Sequence, residues 1–250
     1  MKKVSFCITC MNRFHQISKT LPTNLFDNLP NKNDVEFILV DFGSKDGLKE
    51  WVLSNFSEEL RSGYLQYFYT DTLTTWHASI AKNTAHYFAN GEVVVNLDCD
   101  NYTGSRGGEF VMEQFDKFGD NLLLHQFSGA FNDGSCGRIS MRKEFFLKVG
   151  GYDESFLPMG YQDLDILKRL HLFGLNYELV KDRKYNNAIQ NTKKDSLKNT
   201  ASEMSYQKMN LHNCILSKGN AEAGRIICSR NKPGIREGVF MFENNTFISV

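Results

Sequence analysis

The sequence predicts an α/β fold in which a mostly parallel central sheet is flanked by helices and followed by a helical C-terminal extension. Two observations lead to this prediction. The first hundred residues alternate short apolar runs with helix-like segments, and polar residues follow directly where the apolar runs end. Alternation of this kind is typical of parallel strands that are joined by crossover helices.

The apolar runs give the strand positions, and the segments between them give the helices. Strands are predicted at 4–9, 35–41, 65–70 and 92–98, and helices at 46–53 and 77–89, where a polar start precedes apolar residues at helical spacing. The later chain predicts helices at 109–118, 163–173 and 196–216, a strand at 122–127, and a strand and helix within 138–148. The last residues predict a hairpin that turns at Asn244 and Asn245.

The composition excludes several classes of partner. Lys and Arg together number 29, as do Asp and Glu, so the formal net charge is zero and no basic surface for nucleic acid is indicated. No run of 18 apolar residues occurs. We therefore expect a cytoplasmic protein without an integral membrane segment.

Three of the predicted strands end in polar residues. Thr9 and Arg13 follow the first strand, Asp41 ends the second, and Asp98 ends the fourth. The carboxyl ends of strands in an open parallel sheet form the ligand crevice, so these side chains are expected to converge there. The alternative at each position is an aspartate that only caps the following helix.

The triplet Asp98-Cys99-Asp100 is the sharpest of these signals. On an extended segment two carboxylates that are two residues apart project to the same side and can hold a hard divalent cation together. Mn²⁺ or Mg²⁺ is therefore the predicted cofactor, and the apolar strand directly before the triplet supports the prediction.

The ordered set of motifs resembles the family 2 glycosyltransferases of GT-A (Rossmann-like) fold, and the later part resembles a galactosyltransferase-like C-terminal motif. The resemblance extends over roughly residues 4–170. The matching segments are 4–9 with Asn12-Arg13, 37–47, 81–83, 91–92 leading to Asp98-Cys99-Asp100, 150–154 (Gly-Gly-Tyr-Asp-Glu) and 160–163 (Gly-Tyr-Gln-Asp).

This resemblance implies a nucleotide-sugar donor. The implied donor-binding residues are Thr9, Arg13, Asp41, Lys82 and Asp98, with Thr9 and Asp41 at the nucleobase and Lys82 near the diphosphate. Asp98 meets the ribose or the metal ion, and Asp100 ligates the metal directly. A carboxylate can accept a hydrogen bond from a pyrimidine ring N–H, which favours a UDP-linked sugar.

Asp163 matches the family position of the general base that deprotonates the acceptor hydroxyl in inverting transfer. Asp165 is a second candidate for this role, and a helix-capping Asp163 is the structural alternative. The chain departs from the family at Lys82, where arginine is usual, and at Gln162, where glutamate is usual.

The chain also lacks a histidine where related enzymes often have a third metal ligand. Residues 185–191 contain none, and His171 and His212 have no ligand-like spacing. Aromatic residues near the motifs are candidates for an acceptor-sugar platform. They are Trp76, Tyr102, Phe131, Tyr152 and Tyr161.

The leading hypothesis is a metal-dependent glycosyltransferase that moves a sugar from a UDP-linked donor to a carbohydrate or other hydroxyl acceptor. The alternatives are a nucleotidyltransferase and a catalytically silent sugar-nucleotide-binding protein of the same fold. The predicted organisation is a nucleotide-sugar-binding half at 1–103, an acceptor and catalytic half of the same domain at 104–185, and a C-terminal extension at 186–250.

Overall fold

A computed structural model describes residues 3–228 and 233–250 of the chain. Within these residues nine strands form one sheet in the order β7-β5-β6-β4-β1-β2-β3-β8-β9. The strands are β1 (Val4–Cys10), β2 (Val35–Asp41), β3 (Leu65–Tyr69), β4 (Val93–Asn96), β5 (Leu122–Gln126), β6 (Ile139–Arg142), β7 (Asn176–Val180), β8 (Phe240–Glu243) and β9 (Thr246–Ser249). Residues 1–2 of the predicted half at 1–103 and residues 229–232 of the predicted extension at 186–250 lie outside the described residues.

The helices cover the two faces of this sheet and extend past it at the C-terminus. They are α1 (Phe14–Asn28), α2 (Leu48–Asn55), α3 (Ser57–Ser62), α4 (Ala78–Phe88), α5 (Gly107–Phe118), α6 (Lys143–Lys148), α7 (Gln162–Leu172), α8 (Lys193–Ser196) and α9 (Tyr206–Glu222), with a 3-10 helix at Leu29–Asn31. No helix among the described residues is long and apolar enough to cross a membrane.

The centre of the sheet is parallel, as predicted. Strands β3, β2, β1 and β4 are parallel neighbours in register. Every residue of β1 and β2 is buried, because alternate side chains enter two separate apolar clusters on opposite faces of the sheet. Burial on both faces explains why these strands read as continuous apolar runs in the sequence.

The α/β fold is confirmed, whereas the sheet as a whole is mixed. Half of its strand pairings are antiparallel in the described residues, because β6 runs against both β4 and β5, and the hairpin β8–β9 extends the other edge. That hairpin turns at Asn244 and Asn245, as predicted, with φ of 50° and 64°. Two successive positive φ values match the twist of a two-residue hairpin turn.

Several helices differ from the sequence prediction. The predicted helix at 196–216 begins only at Tyr206, where Ser205 caps it by accepting a hydrogen bond from the Lys208 N–H. Helices α1, α3 and α8 are present in addition to the predicted ones. Helix α1 contains Pro22, a residue that argues against a helix interior, and its buried side carries polar residues at helical spacing beside apolar ones. The polar buried residues are Gln16, Thr20, Asn24 and Asn28.

This polar face of α1 holds the segment that follows β4. Thr20 Oγ1 donates to the Cys99 carbonyl at 2.6 Å, and Asn24 Nδ2 donates to the Asn101 carbonyl at 2.9 Å. Asn24 Oδ1 also accepts from the Thr103 N–H at 2.8 Å. The backbone around Asp100 is therefore fixed by side chains of a helix that contacts it from a distant part of the sequence.

We predict that Asn24→Ala lowers the free energy of unfolding by about 1–3 kcal/mol, because it leaves a buried carbonyl and a buried N–H without partners. Thr23→Ala is the matched control, since Thr23 is exposed on the same helix and should change stability by less than about 0.5 kcal/mol. Urea denaturation of both variants measures the difference. Equal stabilities of the two variants would contradict this role of Asn24.

Candidate functional site

A cavity of about 480 Å³ opens at the carboxyl ends of β1 and β4. Its wall brings together Thr9, Arg13, Lys82, Asp98, Asp100 and Asp163, all of which were candidates from the sequence. These residues come from segments that are up to 154 positions apart in the chain (163 − 9). The polar groups at the ends of the first and fourth predicted strands thus converge as expected, whereas Asp41 at the end of the second does not line the cavity.

The two carboxylates of the Asp98-Cys99-Asp100 triplet have different partners. Asp98 Oδ1 accepts from Asn96 Nδ2 at 3.2 Å and lies 3.3 Å from Lys82 Nζ. Asp100 Oδ1 accepts from Asn101 Nδ2 at 2.6 Å, and its Oδ2 accepts from Asn191 Nδ2. Asp100 thus has side-chain amide donors and no ion pair among the described residues.

The electrostatics of Asp100 favour a positive charge close to its carboxylate. Burial raises the pKa of Asp100 to about 6, the charge of Asp98 adds to this, and Asn101 and Arg13 oppose it. A carboxylate that is destabilised in this way gains from a cation between it and Asp98. The described residues contain no group of three or more His, Cys, Asp or Glu side chains that could hold a metal ion. A hard cation here would take its remaining ligands from other oxygens.

Lys82 lies between the carboxylates of Asp98 and Asp163 in the cavity. Its side chain is only 4% exposed, and its Nζ is 2.7 Å from Asp163 Oδ1 and 3.3 Å from Asp98 Oδ1. Burial alone would lower the pKa of Lys82, but the two carboxylates raise it well above its ordinary value. The side chain is therefore a charged ammonium group shared by the two carboxylates.

Asp163 stands in the first turn of α7, directly after a strained turn. Tyr161 has φ of 66°, and Gly160 packs so closely on Asn210 of α9 that a Cβ at position 160 would lie 2.8 Å from the Asn210 Cβ. Asn213 of α9 also donates to the Gly160 carbonyl at 2.7 Å. Burial raises the pKa of Asp163, and the positive charge of Lys82 opposes the rise. The C-terminal helix thus braces the turn that presents this carboxylate.

Asp165, the second candidate for the general base, forms a buried ion pair instead. It is 1% exposed, and its Oδ2 accepts from Arg169 Nε at 2.7 Å one helical turn later. Arg169 also donates to the carbonyls of Val149 and Gly151. Asp165 does not line the cavity, and its contact with Arg169 stabilises α7.

Asp41 lies at the end of β2, as predicted, but does not line the cavity. Its side chain is buried, with Oδ1 accepting from the Ser44 N–H at 2.8 Å and Oδ2 from Tyr67 Oη at 2.7 Å. Burial raises the pKa of this carboxylate. Its contact with a nucleobase stays a prediction, and in this geometry both of its oxygens already have protein partners.

One side of the cavity is closed by a segment that no sequence pattern predicted. We call residues 187–199 the strap. The Ile189 N–H donates to the Asp100 carbonyl at 2.8 Å, and Asn199 Nδ2 donates to the Met11 carbonyl at 2.7 Å. Arg13 is held by the strap as well, because its Nη2 donates to the Asp195 carbonyl. The asparagine-rich run at 186–191 is the local sequence feature of this segment, and it has neither helix nor strand periodicity.

Three of the five candidate aromatic residues line the cavity. Trp76, Phe131 and Tyr161 do so, whereas Tyr102 and Tyr152 do not. Tyr206 also lines it and was missed, because it lies at the start of a helix whose position was predicted wrongly. His171 and His212 both lie outside the cavity, as their lack of ligand-like spacing suggested.

Comparison with solved structures supports the fold. The chain is 17% identical to a Pyrobaculum calidifontis mannosyltransferase, PcManGT, in complex with GDP-Man and Mn²⁺, with a TM-score of 0.58 over 72% of this chain and 55% of that one. It is 16% identical to Staphylococcus aureus TarS in complex with UDP-GlcNAc, with a TM-score of 0.64 over 89% of this chain and 69% of that one.

These solved structures are longer than the present chain, which spans about 55% of PcManGT and about 59% of a further structure of TarS residues 1–349. A comparison with curated protein sequences finds no significant match.

Family models identify the chain directly. The model of the glycosyl transferase family 2 matches residues 5–134, and that of the N-terminal domain of galactosyltransferase matches residues 127–192. The first match extends over more than half of the 250 residues and contains the cavity residues from Thr9 to Asp100, and the second contains Asp163. The chain belongs to glycosyl transferase family 2.

Proposed function

We propose that the chain is a divalent-metal-dependent glycosyltransferase that moves a sugar from a UDP-linked donor to an acceptor hydroxyl with inversion. One observation carries the proposal: Asp98, Asp100 and Asp163 line a single cavity with the buried Lys82 between them. Carboxylates for a cation and a carboxylate for a proton are the groups that this reaction needs.

The donor is assigned to the side of the cavity formed by Thr9, Arg13 and the Asp98–Asp100 segment. PcManGT is described with GDP-Man and Mn²⁺, and TarS with UDP and with UDP-GlcNAc. A nucleoside diphosphate sugar is therefore the donor class, and uridine is the base that we propose. We keep the division into a donor half at 1–103, an acceptor half at 104–185 and an extension at 186–250. Each of the three segments contributes residues to the cavity wall.

Asp98 and Asp100 would hold Mn²⁺ or Mg²⁺. When bound, such a cation offsets the charge that develops on the leaving diphosphate. The fit rests on Asp100, whose carboxylate is destabilised by burial and by the charge of Asp98 and has no cationic partner among the described residues. Lys82 supplies a second positive charge that faces the same space.

Asp163 is the proposed general base. Burial raises its pKa toward the range in which a carboxylate can take a proton from an acceptor hydroxyl. The acceptor oxygen then bonds to the anomeric carbon as the bond from that carbon to the diphosphate breaks. Trp76, Phe131 and Tyr161 line the same cavity and offer apolar faces on which an acceptor sugar can stack.

One observation favours a second function, a catalytically silent sugar-nucleotide-binding protein. Asp163 Oδ1 is engaged by the Lys82 ammonium at 2.7 Å, and this positive charge lowers the pKa of Asp163 and so weakens it as a base. Turnover by the purified chain separates the two functions, since slow hydrolysis of a UDP-sugar needs no knowledge of the acceptor.

We predict that UDP binds at least about tenfold more tightly in Mn²⁺ than in EDTA, a difference of about 1.4 kcal/mol, and that Asp100→Ala abolishes the difference. Asp116→Ala removes one exposed acidic charge on α5 and should behave like the unmutated chain. Calorimetric titration of UDP measures each case. Equal UDP affinity of the unmutated chain in EDTA and in Mn²⁺ would contradict the metal site.

UDP should bind more tightly than GDP at a fixed Mn²⁺ concentration. The reason is steric, because a pyrimidine needs less room in the cavity than a purine, whereas the ring N–H is a donor that uracil and guanine share. Competition of each nucleotide against a labelled UDP analogue decides between them. Tighter binding of GDP would change the proposed donor class.

Asp163→Asn should lower the transfer rate by about 10²-fold or more, because the amide cannot accept the proton, while the Kd for UDP changes little. Asp165→Asn should instead lower the melting temperature, because it breaks a buried ion pair with Arg169, and should retain turnover well below that temperature. Steady-state kinetics and thermal denaturation measure both. Full turnover by Asp163→Asn would exclude it as the base.

A further inference from the structure

Arg138 is among the largest side chains that are fully buried in the described part of the chain. It is 1% exposed, lies directly before β6 and does not line the cavity. Its planar guanidinium has five N–H donors and no acceptor, and it keeps its positive charge when buried. Because burying a charge costs free energy, the partners of this group decide what it does for the fold and the site.

The guanidinium joins the segment after β4 to residues at and just before the start of the strap. Nη1 donates to the carbonyls of Tyr102 and Tyr185, both at 2.5 Å. Nη2 donates to the Asn187 carbonyl at 3.2 Å and to Asn101 Oδ1 at 2.8 Å. The four acceptors are three backbone carbonyls and one side-chain amide, so these contacts satisfy the donors without compensating the charge.

The negative charges that act on Arg138 are those of the metal-site carboxylates. Burial lowers the pKa of Arg138 to about 10, and the charges of Asp98 and Asp100 oppose this fall. The side chain is therefore a cation at neutral pH. Its charge acts on the same two carboxylates that would hold the divalent cation, although it lies outside the cavity.

Asn101 connects Arg138 to Asp100. Asn101 Oδ1 accepts from Arg138 Nη2 at 2.8 Å, and Asn101 Nδ2 donates to Asp100 Oδ1 at 2.6 Å. A guanidinium can only donate and an ionised carboxylate can only accept, so the two neighbours fix which end of the carboxamide faces which partner. The orientation of the Asn101 side chain therefore depends on Arg138, and one oxygen of Asp100 is anchored by it.

We propose that Arg138 is a positioning residue for divalent-metal binding, which acts through Asn101 to hold the Asp100 carboxylate in place. The inference rests on the metal site of the proposed function. Carboxylates that ligate a metal ion are oriented by hydrogen bonds from a surrounding shell of residues. A carboxylate that is already anchored at one oxygen loses less freedom when a cation binds the other, which raises the affinity of the site.

Mn²⁺ binding at saturating UDP, measured by calorimetry well below the melting temperature of each variant, tests this role. Asn101→Ala removes the connection and should weaken Mn²⁺ binding by about tenfold or more. Arg138→Lys keeps the charge but lacks the planar fork that reaches several acceptors, and it should weaken Mn²⁺ binding by a similar factor. Arg142→Lys is the matched control on β6, since Arg142 pairs with Glu92 and Asp120 outside the cavity, and it should bind Mn²⁺ normally.

The double variant Arg138→Lys with Asn101→Ala shows whether one residue acts through the other. If it does, the double variant binds Mn²⁺ about as weakly as Asn101→Ala alone, because the connection is already lost. Independent effects would multiply to a loss of about a hundredfold and would overturn the proposal.

UDP affinity in EDTA separates positioning of the metal site from general damage to the cavity. Arg138→Lys should bind UDP in EDTA as the unmutated chain does, since neither Arg138 nor Asn101 lines the cavity. An equal loss of UDP affinity with and without Mn²⁺ would leave Arg138 a structural role only and overturn the proposal.

The outcomes also separate this inference from the function beneath it. If the unmutated chain binds no Mn²⁺ with UDP, the proposed metal site fails and the role of Arg138 fails with it. If the unmutated chain binds Mn²⁺ and Arg138→Lys or Asn101→Ala binds it equally well, only the role of Arg138 is overturned.

Discussion

The structure of the site depends on one electrostatic constraint: three carboxylates, Asp98, Asp100 and Asp163, share a cavity with a single buried ammonium group, that of Lys82. Lys82 pairs with Asp98 and Asp163, which leaves Asp100 with amide donors and a pKa raised by burial. Keeping like charges this close costs free energy that the surrounding fold must offset. In the proposed function a divalent cation would offset the two negative charges that Lys82 leaves unbalanced in the cavity.

Polar side chains of distant segments supply the support. The inward face of α1 fixes the backbone around Asp100 through Thr20 and Asn24, and α9 fixes the turn before Asp163 through Asn213. Arg138 joins the strap to the segment after β4 with hydrogen bonds to carbonyl and amide oxygens. Each of these groups is buried and has specific partners, so the site is held by geometry that apolar packing alone would not define.

The central strands and most of the site were predictable, because parallel strands that are buried on both faces leave continuous apolar runs, and their carboxyl ends must meet. Helix α1 was missed because Pro22 lies inside it and polar residues share its buried side with apolar ones, and the strap was missed because irregular backbone has no periodicity. Asp41 Oδ2 accepts a hydrogen bond from Tyr67 of the neighbouring strand, and no local sequence pattern predicts this tertiary contact. The family motif alone favoured Asp163 over Asp165, and the structure gives the physical difference, because Asp163 lines the cavity whereas Asp165 pairs with Arg169.

The central claim is that one cavity holds the cation, the nucleotide and the base. Crystals of the chain grown with UDP and Mn²⁺, measured at the manganese absorption edge, test it most directly. The account predicts an anomalous peak beside Asp98 and Asp100, with the diphosphate next to it and Asp163 facing the same cavity. A manganese peak elsewhere on the chain, or UDP bound outside this cavity, would contradict it.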